Sequence, residues 1–423
     1  MLNSIKPNNY RLASLLLWIA LVGTLLPYRF NKTGDPFSAY TYPIAILLVV
    51  TTGLFFLLSS YDRHLVITVA KRSPHFFIYF IIILISQTVN TMQYTKLEIA
   101  DYVWTSGYVV MGIVSYFIFA ISIGNRIFKQ WLYFFLIVGG ISSAIGIYSA
   151  ITGARQILNL QIRQVQSYAA FGISTTSSIF YESNRFAIVA FFGFLAALYF
   201  IAKRKRILLG LIVLLMCVGG IFVSWSRSVY LALIISFIVW LIIKVRKSRR
   251  FMLVIALGVV AVGGMAIMFS VENVRGAFFG HGWAGRDQIW PVAIGMILNR
   301  PLWGYGFGRW EEVTSQMIYT FTGMEFEVHS TPLCVGMSAG IFAVIFYFII
   351  IIISLRRLHR SSLTRLEKAT IAAGVVGMFI SGLFLEYDLG GASFGSFVQT
   401  IFLGLANASP WLRQRTKSVL ELR

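Results

Sequence analysis

The chain has 423 residues, 58% of them hydrophobic and only 12% charged, with a formal charge of +21. Soluble domains carry about 25% charged residues, so composition excludes a soluble protein, and a mean hydropathy of +0.78 fits helices that are apolar all round because they face lipid. Two cysteines, Cys217 and Cys334, both in apolar stretches, exclude a disulfide framework and a cysteine metal site; they read as small buried hydrophobes.

A bilayer span needs about 20 apolar residues. In chain order the sequence predicts spans near 12–27, 43–60, 75–91, 102–123, 131–152, 185–202, 207–225, 228–243, 251–270, 331–354, 369–386 and 390–407. No cleavable leader is evident, and 12–27 is expected to stay as the first span. Alternate connections differ in charge. The N-terminus, 62–72, 126–129, 203–206, 244–250, 356–368 and the C-terminal tail hold 25 of the 36 Lys and Arg against three acids. The opposite set holds 11 basic residues and 12 acids. The positive-inside rule puts the basic set in the cytoplasm, so both termini are expected there and the span number is even. The excess charge is thereby an orientation signal and an attraction to anionic lipid. It argues for neither nucleic acid nor an acidic substrate.

The whole chain, 1–423, is expected to be a single all-α transmembrane domain of about 12 helices, with one large periplasmic loop, 271–330, inserted between spans 9 and 10. Inside that loop Asp287 is placed to cap a helix with Pro291 in its first turns. Ile289, Trp290, Val292, Ala293, Met296 and Ile297 recur at helical spacing, the pattern of a helix lying along a membrane surface. Asn299-Arg300-Pro301 ends it. Gly304, Gly306 and Gly308 form a flexible turn, and a second amphipathic stretch runs from Arg309 and Trp310 to near Gly323.

The residues suited to chemistry lie on the outer side. Arg227, in Ser-Trp-Ser-Arg-Ser where two spans meet, either snorkels to headgroups or aims a guanidinium at a lipid phosphate. Arg286 stands at the start of the surface helix, where free N–H groups already favour an anion; a salt bridge with Asp287 is the competing reading. His329 ends the long loop, where an imidazole can take a proton from an attacking hydroxyl. The Gly304–Gly308 turn, Gly306 included, either presents N–H groups to a phosphate or simply joins two helices, and Arg309 follows it. Asn184 and Arg185 open the sixth span. Glu311, Glu312, Glu325 and Glu327 match no compact metal-binding loop, so neither a metal nor a cofactor is expected. An outer compartment without ATP or nucleotide sugars calls for a donor that is already activated and membrane-anchored, which a polyprenyl diphosphate glycan satisfies.

Four segments resemble the O-antigen ligase and polymerase superfamily: Ser226-Arg227-Ser228; Gly285-Arg286-Asp287-Gln288-Ile289-Trp290; Asn299 through Gly308 (NRPLWGYGFG); and His329-Ser330-Thr331-Pro332-Leu333. They fall within roughly 224–340. The resemblance implies a membrane fold of the lipid-donor glycosyltransferase type (GT-C-like) in the bacterial inner membrane, with an inverting, metal-independent transfer from an undecaprenyl diphosphate-linked glycan. The family's essential arginines and histidine would fall on Arg227, Arg286 and His329. Ser330 departs from the asparagine often found after that histidine. The acceptor implied is lipid A core for a ligase, or a second lipid-linked unit for a polymerase. A lipid-linked glycan flippase is the alternative of another class, but transporters place ionisable groups at the midplane, and the assigned spans hold almost none away from their ends.

Overall fold

The computed structural model describes residues 8–30, 38–58, 60–93, 99–157, 160–162, 164–168, 173–204, 206–245, 285–308, 310–322 and 328–412. Among them, eight helical segments are long and apolar enough to cross a bilayer: Tyr40–Leu57, Pro74–Met92, Asp101–Ser122, Phe128–Thr152, Ser183–Ala202, Ile207–Ser224, Arg227–Lys244 and Thr331–Arg360. Leu12–Pro27 and Phe394–Ala408 are shorter apolar helices. The protein is an all-α polytopic membrane protein. The expected span 251–270 lies outside the described residues, as does 271–284 of the long loop.

The helices are α1 (Asn8–Phe30), α2 (Ser38–Leu58), α3 (Ser60–Lys71), α4 (Pro74–Gln93), α5 (Ile99–Ile113), α6 (Ala120–Ser122), α7 (Phe128–Thr152), α8 (Ser183–Ala202), α9 (Ile207–Ser224) and α10 (Arg227–Lys244). After them come α11 (Arg286–Asn299), α12 (Trp310–Thr322), α13 (Thr331–Arg360), α14 (Arg365–Gly382) and α15 (Phe394–Ala408). Two π-helical stretches, Val114–Phe119 and Ile123–Ile127, link α5, α6 and α7.

Burial explains why apolar helices of similar composition behave differently. From Phe186 to Phe200 every residue of α8 is buried, and so is every residue of α15. These two are central, with α8 packed between α7 and α9 and α15 against α13 and α14. On α9, by contrast, Leu208 and Leu215 stay about 70% exposed (73% and 69%), the outward face of a helix whose other side packs on protein. Small residues permit the central contact: a Cβ on Gly139 would stand 2.6 Å from the Gly193 Cα, and one on Gly193 would stand 2.7 Å from the Cys217 Sγ. Both cysteines are free and buried.

Helix ends follow local chemistry. Thr364 and Glu367 exchange bonds across the first turn of α14 in a capping box, as Thr-x-x-Glu predicts. α13 begins after an extended Ser330 with Pro332 in its first turn, where its missing N–H is harmless. α11 differs in detail from expectation. It starts at Arg286 after a left-handed Gly285, without a side-chain cap, so Asp287 lies inside the first turn rather than at the cap. Between α7 and α8 lie two antiparallel ribbons, Gln156–Ile157 with Leu160–Gln161 and Gln164–Tyr168 with Ile173–Thr176.

At one end of the bundle, basic connections converge. Arg357 donates to the Ser73 hydroxyl, the Asn407 side chain and the Arg72 carbonyl, and both Arg72 and Arg357 lie over the Trp411 ring. At the other end α1 meets the chain entering α8: Arg29 donates to the Ile179 carbonyl at 2.8 Å and Arg185 to the Pro27 carbonyl at 2.8 Å. The candidate chemistry lies with this second group.

Candidate active site

His329 adopts a left-handed backbone, φ +46°. Outside glycine that region is uncommon and costs of order 1–3 kcal/mol unless the surroundings impose it. Here they do. The Trp290 indole of α11 donates to the Val328 carbonyl at 3.0 Å. The Leu385 carbonyl accepts from both the Thr331 N–H and the Thr331 hydroxyl, each at 3.0 Å. That hydroxyl accepts in turn from the Tyr387 N–H at 2.8 Å. Residues on both sides of the histidine are thus tied to other elements.

The imidazole so placed lines a cavity of about 470 Å³, within the ~300–1,000 Å³ of small-molecule sites. Asn184 and Arg185 from the start of α8 share it, with Tyr42 and Ile46 of α2 and Trp104, Tyr108 and Met111 of α5. The segment between α14 and α15 supplies Leu385, Glu386, Tyr387 and Asp388. The Arg185 Nε is paired with Glu182, another lining residue, at 3.2 Å. Asp388 is only 8% exposed.

Arg227 and Arg286 stand beside this cavity rather than in its lining. Arg227 opens α10 behind a tight corner in which Trp225 is left-handed, φ +55°. Its neighbour Ser226 donates from the hydroxyl to the Asn184 Oδ1 at 2.7 Å. Arg286 opens α11 and donates from Nη2 to the Phe384 carbonyl at 3.2 Å, one residue before the cavity wall at Leu385. Burial first, and then the positive charge of Arg227, hold the Arg286 guanidinium below its ordinary pKa. Both arginines thus stand at the flank: Ser226, next to Arg227, bonds to Asn184 of the wall, and Arg286 bonds to the carbonyl of Phe384, the residue before Leu385.

The glycine turn is placed elsewhere. Its Tyr305 N–H donates to the Met337 carbonyl at 2.7 Å and its Gly306 N–H to the Ser338 carbonyl at 3.0 Å. The Gly308 N–H donates to the Gln87 Oε1 at 2.7 Å. The partners on α13 are available because that helix breaks at Gly340, φ +82°, ψ 178°, where Ile341 donates instead to the Pro301 carbonyl. Arg300 adds a bond to Asn90 at 3.2 Å and lies over the Tyr305 ring. These backbone donors are occupied by protein, so the turn fastens the long loop into the helix break. Arg309 lies outside the described residues. So do Glu325 and Glu327, while Glu311 and Glu312 fall in α12. Among the described residues no group of three or more His, Cys, Asp or Glu is placed to hold a metal.

Glu386, Asp388 and Glu182 join the site without having been singled out from sequence.

The fold and the cavity thus define a polytopic helical membrane protein with His329, Arg185 and three carboxylates (Glu182, Glu386, Asp388) around a common space, and Arg227 and Arg286 outside its lining. The model of a family described as O-antigen ligase matches residues 211–348. Over that stretch the chain is similar to the O-antigen ligase family. No curated protein matches the chain. The matched stretch contains Arg227, Arg286 and His329; the rest of the cavity wall, on α2, α5, α8 and residues 385–396, falls outside it.

Proposed function

We propose that this protein is an O-antigen ligase-type glycosyltransferase of the bacterial inner membrane. It moves a glycan from undecaprenyl diphosphate to a hydroxyl of lipid A core on the periplasmic face, with inversion and without a metal. His329 accepts the proton of the attacking hydroxyl as its oxygen bonds to the anomeric carbon. The bond from that carbon to the diphosphate breaks on the opposite face, and the diphosphate leaves with the electron pair. Arg227 and Arg286 bind the diphosphate and balance its charge, so a metal is not required for departure. Asn184 and Arg185 are further contacts from α8.

The observation that carries this reading is that Arg286, bonded to the Phe384 carbonyl, and Arg227, next to the Ser226 that bonds Asn184, flank a cavity lined by His329. Two half-buried cations so placed suit a multiply charged phosphate. General-base help is worth about 10²–10⁴-fold, and positioning with charge neutralisation supplies the remainder.

The test is reconstitution of the full-length protein with a polyprenyl diphosphate glycan in the presence of chelator. Lipid A core and a second lipid-linked unit compete as acceptors. Transfer to lipid A core is expected; transfer to the lipid-linked unit instead would make the protein a polymerase. His329→Ala and Arg286→Ala should each abolish measurable transfer while purifying as folded protein. Full activity in either variant rejects its assigned role.

A further inference from the structure

We infer that Thr331 and Trp290 are positioning residues: together with residues 384–387 they close a ring of bonds that holds His329 at a fixed place relative to Arg286. This rests on the transfer reading, in which the imidazole takes the proton and the guanidinium holds the diphosphate.

The ring can be followed residue by residue. Arg286 begins α11, and Trp290 lies one turn further along it. The Trp290 indole donates at 3.0 Å to the carbonyl of Val328, the residue before the histidine. Two residues after the histidine, Thr331 donates to the Leu385 carbonyl from its N–H and from its hydroxyl, each at 3.0 Å. The preceding carbonyl, that of Phe384, accepts from the Arg286 Nη2 at 3.2 Å, which returns the path to its start. The Phe384 and Trp290 ring centres lie 5.9 Å apart. The Phe384 N–H is in turn fixed to the Ser381 carbonyl in the last turn of α14, at 3.0 Å. Two adjacent carbonyls therefore hold the arginine on one side and the chain of the histidine on the other.

The Thr331 hydroxyl is committed to this ring rather than to its own helix. α13 has no side-chain cap, and Thr331, wholly buried in its first turn, reaches 54 residues along the chain to Leu385 and accepts from the Tyr387 N–H at 2.8 Å. A hydroxyl that donates and accepts at once fixes direction as well as distance. Between the two joints, at Val328 and Thr331, His329 keeps its left-handed φ of +46°. Such a backbone persists only where its surroundings impose it. Loss of either joint lets residue 329 relax toward an ordinary φ, and the imidazole swings with it. A displacement of about 1 Å at a reacting group costs on the order of 10²-fold in rate.

The experiment uses the full chain in nanodiscs and three variants. Thr331→Val keeps the shape and loses the hydroxyl, Thr331→Ser keeps the hydroxyl, and Trp290→Phe keeps an aromatic ring and loses the N–H. Calorimetric titration with a polyprenyl diphosphate glycan counts folded sites, and kcat is expressed per site. Thr331→Val should lower kcat by about 10²-fold and Trp290→Phe by about tenfold, both with donor affinity unchanged, and Thr331→Ser should restore most of the rate. A second readout needs no turnover: the rate at which diethyl pyrocarbonate modifies His329, with exposed His359 as internal standard. It should rise several-fold in Thr331→Val and Trp290→Phe, stay at the wild-type value in Thr331→Ser, and leave His359 unmoved. Wild-type kcat per site with unchanged His329 reactivity in Thr331→Val overturns the inference, as does a loss that Thr331→Ser shares. Should Thr331→Val fail to fold, Trp290→Phe decides by the same two readouts. Raised His329 reactivity in the variants, with no transfer by any form including wild type, keeps the ring and sinks the transfer reading. Transfer by wild type and all variants at one rate does the opposite.

Discussion

Two loops on this molecule offer polar groups in sequence, and they end up differently. The turn at 301–308 has three glycines and a string of backbone donors. The junction at 328–331 has one histidine. In the turn, the N–H groups of Tyr305, Gly306 and Gly308 all go to protein oxygens. At the junction the backbone is fastened on both sides of His329 while the imidazole borders the cavity. Both loops are held by hydrogen bonds, yet only one places a side chain in the cavity wall. The lesson is about accounting for polar groups: a loop whose donors are taken internally is a fastening.

The comparison breaks most readily at its functional half. His329→Ala should lower kcat by about 10²–10⁴-fold with its unfolding midpoint in detergent unmoved. A loss of thermal stability to match would reassign the histidine to structure. Next in size is the fastening. A Cβ at Gly340 would lie 2.4 Å from the Leu302 carbonyl at a φ of +82°, so Gly340→Ala should destabilise the fold by about 2–4 kcal/mol, read as a lowered unfolding midpoint. An unchanged midpoint would show that the break in α13 is not needed.

Smaller effects sharpen the same contrast. Gln87→Leu leaves the Gly308 N–H without its Oε1 acceptor and should cost about 1–3 kcal/mol of stability. Its effect on transfer should appear only through loss of folded protein. A specific rise in KM with stability intact would instead tie the turn to substrate. Smallest is Arg227→Lys, which keeps the charge and loses the fork. About a tenfold loss in kcat/KM is expected, and full activity would mean that Arg227 only anchors the helix end at the membrane surface.

Much of this was legible along the chain. The spans over α4, α7, α8, α9 and α13 are visible as apolar runs because a helix in lipid must cover its backbone with hydrocarbon. The amphipathic helix from 286 to 299 is visible in its spacing, and its buried Ile289, Ala293, Met296 and Ile297 are among the residues that set that spacing. Arg227, Arg286 and His329 stand out as polar groups at span junctions. Glu386 and Asp388 did not stand out, because they fall where one short connection joins two apolar runs and nothing local distinguishes a wall from a turn. The ribbons carry no clean alternation, since their strands are only two to five residues long.

The sequence by itself determined that this chain crosses a membrane many times and gathers basic residues in alternate connections, because hydropathy and charge act residue by residue against a planar solvent. Only the tertiary structure decided that α8 and α15 are central, that the glycine turn is a fastening, and that residues from 42 to 396 share one cavity. Those outcomes depend on which groups find partners far away in the chain, and distance in space is not written in local composition.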